Sequence, residues 1–187
     1  SSSSIHRKDA WNGGYFLPDE FAVSPKAICR LLRKVENEYP KRLVNPYHNN
    51  IHAADVIQST HALIQMGGEQ MEMAYTPLEL YSILWAAALH DIKHPGTNNN
   101  YQINKRTELA KIYNDISVLE NMHASRACFL LEGMDESGDY SEIFGSMTDE
   151  QRKLFRTSLI RSILFTDMSK HFLWVAEMTK SIEAMEE

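Results

Sequence analysis

A chain of 187 residues with 43% apolar content can bury one sizeable core, and a single domain is its natural reading. The formal charge of -6 lacks the basic stripe that nucleic acid would require and excludes it as a partner, yet an anionic substrate stays admissible where metal ions supply positive charge locally. The longest apolar run, Ile83 to Leu89, falls far short of the ~20 residues of a bilayer span, no signal peptide is visible, and Cys29 and Cys128 lack C-x-x-C spacing. These features point to a cytoplasmic protein with buried or partly buried free thiols, at the cytosolic face if a longer parent is tethered elsewhere.

Helical periodicity recurs along the chain and strict alternation does not, so the expected fold class is all-α. Residues 1–23 read as a leader and entry segment, with a low-complexity start at Ser1 to Ser4, and residues 24–187 as one domain. Ser24-Pro25 supplies an N-cap and a first-turn Pro, after which Ile28, Leu31, Leu32 and Val35 share one face before Pro40. From about Ala53 to Met66 the positions Val56, Ile57, Leu63 and Ile64 recur at helical spacing; Gly67-Gly68 is expected to stop that helix, and His52 falls near its start. Thr76-Pro77-Leu78-Glu79 forms a capping box that launches Leu80 to Leu89, a segment apolar nearly all round and therefore central.

The stretch Gly96 to Asn100 reads as a turn, and a helical patch around Glu108 to Tyr113 leads to Asn114-Asp115. Ser117 to Glu120 reads as a second capping box, opening a helix that ends near Gly133. Asp135 to Ser146 is polar and reads as an exposed loop. Thr148 to Gln151 repeats the capping pattern ahead of Leu154, Phe155, Leu159, Ile163 and Leu164, and a last helix is expected over His171 to Met185.

Onto this helical frame fall four residues of metal-ligand type: His48 and His52 in Y-H-N-N-I-H-A-A-D, then His90 and Asp91 in A-L-H-D-I-K-H-P-G. Residues four apart share a helix face, so His48/His52 and His90/His94 can each present two imidazoles together. Adjacent residues diverge by about 100° on a helix, so His90 and Asp91 face one ion only where the helix ends, and Pro95-Gly96 supplies an ending. Any one of these histidines alone is better explained as a satisfied core residue; together they form the layout of a metal-dependent phosphohydrolase. His6, His61 and His171 read as structural, and Asp55, Asp115 and Asp167 as local caps or turn formers. Imidazole with carboxylate suits Zn²⁺, and a carboxylate bridging to a second, water-rich ion suits Mg²⁺ or Mn²⁺. Two such ions about 3.5–4 Å apart activate a bridging hydroxide, with one further histidine as general acid.

Four ordered blocks, Y-H-N-N-I-H-A-A-D-V, H-D-I-K-H-P-G-T-N-N, Y-N-D-I-S-V-L-E-N-M-H and F-T-D-M-S-K-H-F, resemble the catalytic domain of class I 3',5'-cyclic nucleotide phosphodiesterases. The resemblance implies a compact helical bundle of the HD superfamily that hydrolyses the 3' phosphoester of cAMP or cGMP to the 5' monophosphate. By motif position it makes His48 the general acid and His52, His90 and Asp91 ligands of a zinc-type ion, with Asp91 bridging to the second ion. It places His94, Glu120 and Thr166 around the water of that second ion, and Tyr47, Asn99 and Met168 along the nucleotide. Glu120 is equally well placed to complete the cap of Ser117.

Two substitutions depart from the family pattern: Lys93 stands where aspartate is usual, and Met122 where histidine is usual. The family's further metal-binding aspartate, its purine-contacting glutamine and its clamping phenylalanine lie downstream of the T-D-M block and have no match before Glu187. The chain is therefore expected to be the N-terminal, larger part of such a domain, weak or inactive alone, and compatible with a homodimer. The alternatives are another HD-superfamily phosphohydrolase, or a degenerate domain acting as a nucleotide-binding or interaction module.

Overall fold

The computed structural model describes residues 21–133 and 142–186, so most of the expected leader and the first part of the expected loop at 135–146 lie outside the described residues. The described residues form eight α-helices and no strand, in agreement with the all-α expectation. The first, α1 (Pro25–Glu38), starts with Pro25 at its first position, although the Ser24 hydroxyl makes no cap bond. Ala27, Leu31 and Val35, four apart, form its buried stripe. Leu32, expected on that face, is exposed, because it sits about 100° away from the Leu31 row. Cys29 is also exposed, against expectation, while Cys128 is buried; both are free.

Helix α2 (Asn50–Ala74) is capped by Asn49, whose side chain accepts from the Ile51 amide. It runs past the expected stop. Gly68 takes a φ of 49° and a ψ of -131°, which kinks the helix without ending it. Glycine visits that region without the Cβ clash that would deter other residues.

The capping box at Thr76 is present in both directions and opens α3 (Pro77–Leu89). Tyr81, Ser82 and every residue from Trp85 to Leu89 are buried, and the helix packs against α2 (Asn50–Ala74), α6 (Val118–Leu131) and α7 (Asp149–Leu164). Small alanines at 86–88 let these neighbours approach closely. The second reciprocal box, Thr148 with Gln151, opens α7, where Phe155, Leu159 and Ile163 are buried while Leu154 is exposed. The expected exposed loop is corrected at its described end: Glu142–Phe144 is a 3₁₀ turn, and Ile143 and Met147 are buried. The Ile143 carbonyl accepts from the Tyr81 hydroxyl, whose pKa burial pushes up to about 12.

The expected turn after His94 contains a short helix, α4 (Asn99–Asn104), capped by Asn98; α5 (Glu108–Ile112) follows, capped by Thr107. The cap expected at Ser117 is not made. Ser117 has a φ of 42° and no side-chain cap bond, and its hydroxyl donates instead to Asp167 at 2.6 Å. Helix α8 (His171–Glu186) closes the described chain with Phe172, Leu173, Val175, Met178 and Ile182 exposed. The end of α3, the start of α2 and one face of α6 converge beside a single cleft.

Candidate metal centre

After Leu89 the backbone leaves the helix and turns through residues 90–93. That ending lets neighbouring His90 and Asp91 face one point. His52 reaches the same point from the first turn of α2. The expected helical pairs are not formed as such, since His48 precedes α2 and His94 follows the turn; the ligand-type atoms meet across elements instead. His90 Nε2 lies 3.3 Å from His52 Nε2, and Asp91 Oδ2 lies 3.4 Å from each. A tetrahedral ion bonded at about 2.0–2.1 Å separates its ligand atoms by roughly 3.3–3.4 Å, so this triangle fits such an ion. A second group, His48, Asp91 and His94, also offers atoms within 4.8 Å of one another.

The rings are held from behind. His90 Nδ1 donates to the Ala87 carbonyl at 2.9 Å, so the neutral ring presents a lone pair at Nε2. His48 Nδ1 donates to Asp91 Oδ2 at 2.7 Å, and its ring stacks on His94 at 3.8 Å. His94 Nδ1 accepts from the Gly96 amide at 3.0 Å, which leaves the proton of its neutral ring on Nε2. The Asp91 amide donates to the Tyr39 hydroxyl at 3.4 Å, and that hydroxyl donates to the Ala88 carbonyl at 3.0 Å. Tyr47 covers His52 with ring centroids 4.6 Å apart.

His123 was not singled out from the sequence, yet it is 1% exposed, donates from Nδ1 to the Ile92 carbonyl at 2.6 Å, and sets Nε2 3.9 Å from Asp91 Oδ1. Its one sequence signal was its place three residues after Glu120 at the end of the third block.

Burial opposes the Asp91 charge, but hydrogen bonds from His90 and His48 and the charges of His90 and His123 outweigh it and hold the carboxyl well below its usual range. Burial also opposes charge on His90, and there the Asp91 hydrogen bond wins and raises the pKa. For His52 burial and then His90 lower it. His94 falls to about 4 through burial and the neighbouring His48, and His123 falls to about 4 through burial despite its bond to Ile92.

These shifts set a pH dependence for the metal-free chain. Between about 6.5, the unfolded value, and the lowered folded values, the unfolded chain binds more protons at His94 and His123, so their stabilisation is complete above about 6.5 and drains away as pH falls. His90 has the opposite sign and offsets part of this. Urea midpoints measured at pH 7.5 and pH 5 should show a loss on the order of 2 kcal/mol at the lower pH. Equal or greater stability at pH 5 would contradict this reading of the buried imidazoles.

The cleft beside the triangle measures about 1180 Å³ and is lined by all ten residues singled out from the sequence, with His123 and Asp167. Asn99 donates to Glu120 Oε2 at 2.9 Å, and its own Oδ1 accepts from the Leu119 amide, serving the start of α6 that Ser117 leaves unserved. Glu120 is thus engaged by Asn99, and the expected cap with Ser117 is set aside; burial raises its pKa. Thr166 donates its hydroxyl proton to the Ile163 carbonyl, while Tyr47 and Met168, 64% and 71% exposed, stand at the rim. Asp167 is more than a local turn former: besides Ser117 it accepts from the Ser169 amide and hydroxyl, tying this wall of the cleft to α6.

The family model described as 3'5'-cyclic nucleotide phosphodiesterase matches residues 47–187. The chain belongs to this family. A Drosophila melanogaster 3',5'-cyclic-AMP phosphodiesterase, isoform F, is 40% identical over 161 residues, covering 86% of this chain and 23% of that protein. The rat 3',5'-cyclic-AMP phosphodiesterase 4C is 38% identical over 163 residues, covering 87% of this chain and 29% of its own length. Among solved structures, the phosphodiesterase domain of the RhoPDE fusion protein from the choanoflagellate Salpingoeca rosetta superposes with a TM-score of 0.74 at 34% identity, covering 87% of this chain and 48% of that one. The chain therefore spans under a third of these curated relatives and about half of the solved domain.

Proposed function

We propose that this chain contributes the metal-holding half of a site that hydrolyses a 3',5'-cyclic nucleotide, cAMP in the first instance, to its 5' monophosphate. The observation that carries the reading is the triangle of His52 Nε2, His90 Nε2 and Asp91 Oδ2 on one side of a cleft with room for a nucleotide. The cAMP assignment is supported by the substrates named for the fruit-fly and rat relatives. In this reading His52, His90 and Asp91 would hold a Zn²⁺-type ion, and Asp91 with His94, Glu120 and Thr166 beside it would serve a Mg²⁺ or Mn²⁺. Bound there, two divalent ions would supply positive charge to the phosphate and lower the pKa of the attacking water.

The chain's own residues do the rest. His48, fixed through Nδ1 by Asp91, is the proton donor to the departing 3' oxygen. Its side chain is 35% exposed against 17% for His52 and 10% for His90, so it stands nearest the open side of the cleft. Tyr47, Asn99 and Met168 line the nucleotide, and buried His123 packs beside the Asp91 carboxylate.

The test compares this chain with a version extended downstream to the length of the solved domain, assayed for cAMP and cGMP with and without added Zn²⁺ and Mg²⁺. Metal-dependent 5' monophosphate release by the extended protein is expected, with little by the 187-residue chain. Metal binding without cyclic nucleotide turnover would favour another phosphohydrolase chemistry, and neither would leave a binding module.

A further inference from the structure

Lys93 lies two residues from Asp91 and next to His94, a position where a positive charge should repel divalent ions. The cleft is nevertheless lined by Asp91 and His94 and not by Lys93. The Lys93 ammonium lies 3.4 Å from Glu38 Oε2, on the last residue of α1, and the same oxygen accepts from Arg126 Nε of α6 at 2.8 Å. The Glu38 side chain is 19% exposed while that of Lys93 is 50% exposed, so the carboxylate is the fixed partner. Lys93 also takes a φ of 61°, a left-handed conformation that a lysine keeps only when its surroundings hold it. The residue after Glu38 grips the same turn from the same side, since the Tyr39 hydroxyl bonds both the Ala88 carbonyl and the Asp91 amide.

We propose that Glu38 is a positioning residue for the metal centre: it anchors Lys93 on the α1 and α6 side of the turn, away from the cleft, and offsets part of its charge. This rests on the metal reading of His52, His90 and Asp91. A lysine two residues from Asp91 is then tolerated because α1 brings a carboxylate to it. The pair acts over several ångströms through partly exposed groups, so its influence on a bound dication is moderate and screened by salt.

The test is calorimetric titration of Mn²⁺ into the 187-residue chain and the variants Glu38→Gln, Lys93→Met and the double variant, at 50 mM and 500 mM salt, with folding followed by circular dichroism. Gln keeps the shape and the acceptor for Arg126, so the fold should survive. Glu38→Gln is expected to weaken Mn²⁺ binding roughly five- to tenfold at low salt. The double variant should return to within about twofold of the parent, and the difference should shrink at high salt. A Glu38→Gln affinity equal to the parent's, or a double variant as weak as Glu38→Gln alone, would overturn the proposal while leaving the metal site standing. No Mn²⁺ binding by the parent chain, nor by the chain extended downstream to the length of its solved relative, would instead sink the metal reading and this inference with it.

Discussion

Asp91→Asn should abolish measurable metal binding while leaving the helices in place. Asp91 is the one carboxylate common to both groups of ligand-type side chains among the described residues, and Oδ2 alone contacts His48, His52 and His90. Removing its charge leaves only neutral imidazoles to attract a dication. Loss of a partner that merely supports a ligand typically weakens binding about 10–100-fold, so loss of this shared ligand should exceed about 100-fold. A second readout follows from the electrostatics, because Asp91 is what raises His90 against its burial. In the variant the His90 pKa, followed by NMR, should drop below its ordinary value. Retained affinity together with an unmoved His90 would show that the ion sits elsewhere.

His48→Ala should divide the two roles that its geometry leaves open. His48 belongs to the group with Asp91 and His94, and the same half-buried ring lines the cleft. As a proton donor its loss should lower turnover about 10²–10⁴-fold in the domain extended to the length of its solved relative, with metal content unchanged. A methyl group cannot protonate an alkoxide, and the free Asp91 oxygen would still face His52 and His90. If metal were lost while turnover per bound ion stayed constant, His48 would be a ligand and the acid would have to be sought among His94 and His123.

What the sequence disclosed was local. The reciprocal boxes at Thr76 and Thr148 depend on residues three apart, and Pro25 acts within its own turn, so each was readable and each is present. The convergence of His52, His90 and Asp91 was readable because an apolar helix that must end at His90 leaves two adjacent side chains free to turn together. What stayed hidden was decided by distant partners. Ser117 carries the same pattern as Thr76, but Asp167, fifty positions away, takes its hydroxyl. Ile143 looks like part of a polar loop until α1 packs on its 3₁₀ turn and Tyr81 bonds its carbonyl. Gly67-Gly68 reads as a stop because glycine permits one, yet here Gly68 supplies only a kink. His123 escaped notice because a buried histidine on an otherwise apolar helix face has no local mark that separates structural from functional use. Lys93 was visible as a departure, but its partner Glu38 is legible only in three dimensions.

The most direct measurement is anomalous diffraction at the zinc and manganese edges from crystals of this chain grown with each ion. A peak bonded to His52 Nε2, His90 Nε2 and Asp91 is the expected result. A peak that avoids those three atoms, or none at saturating metal, would contradict the assignment of this cleft as a metal-dependent phosphodiesterase site.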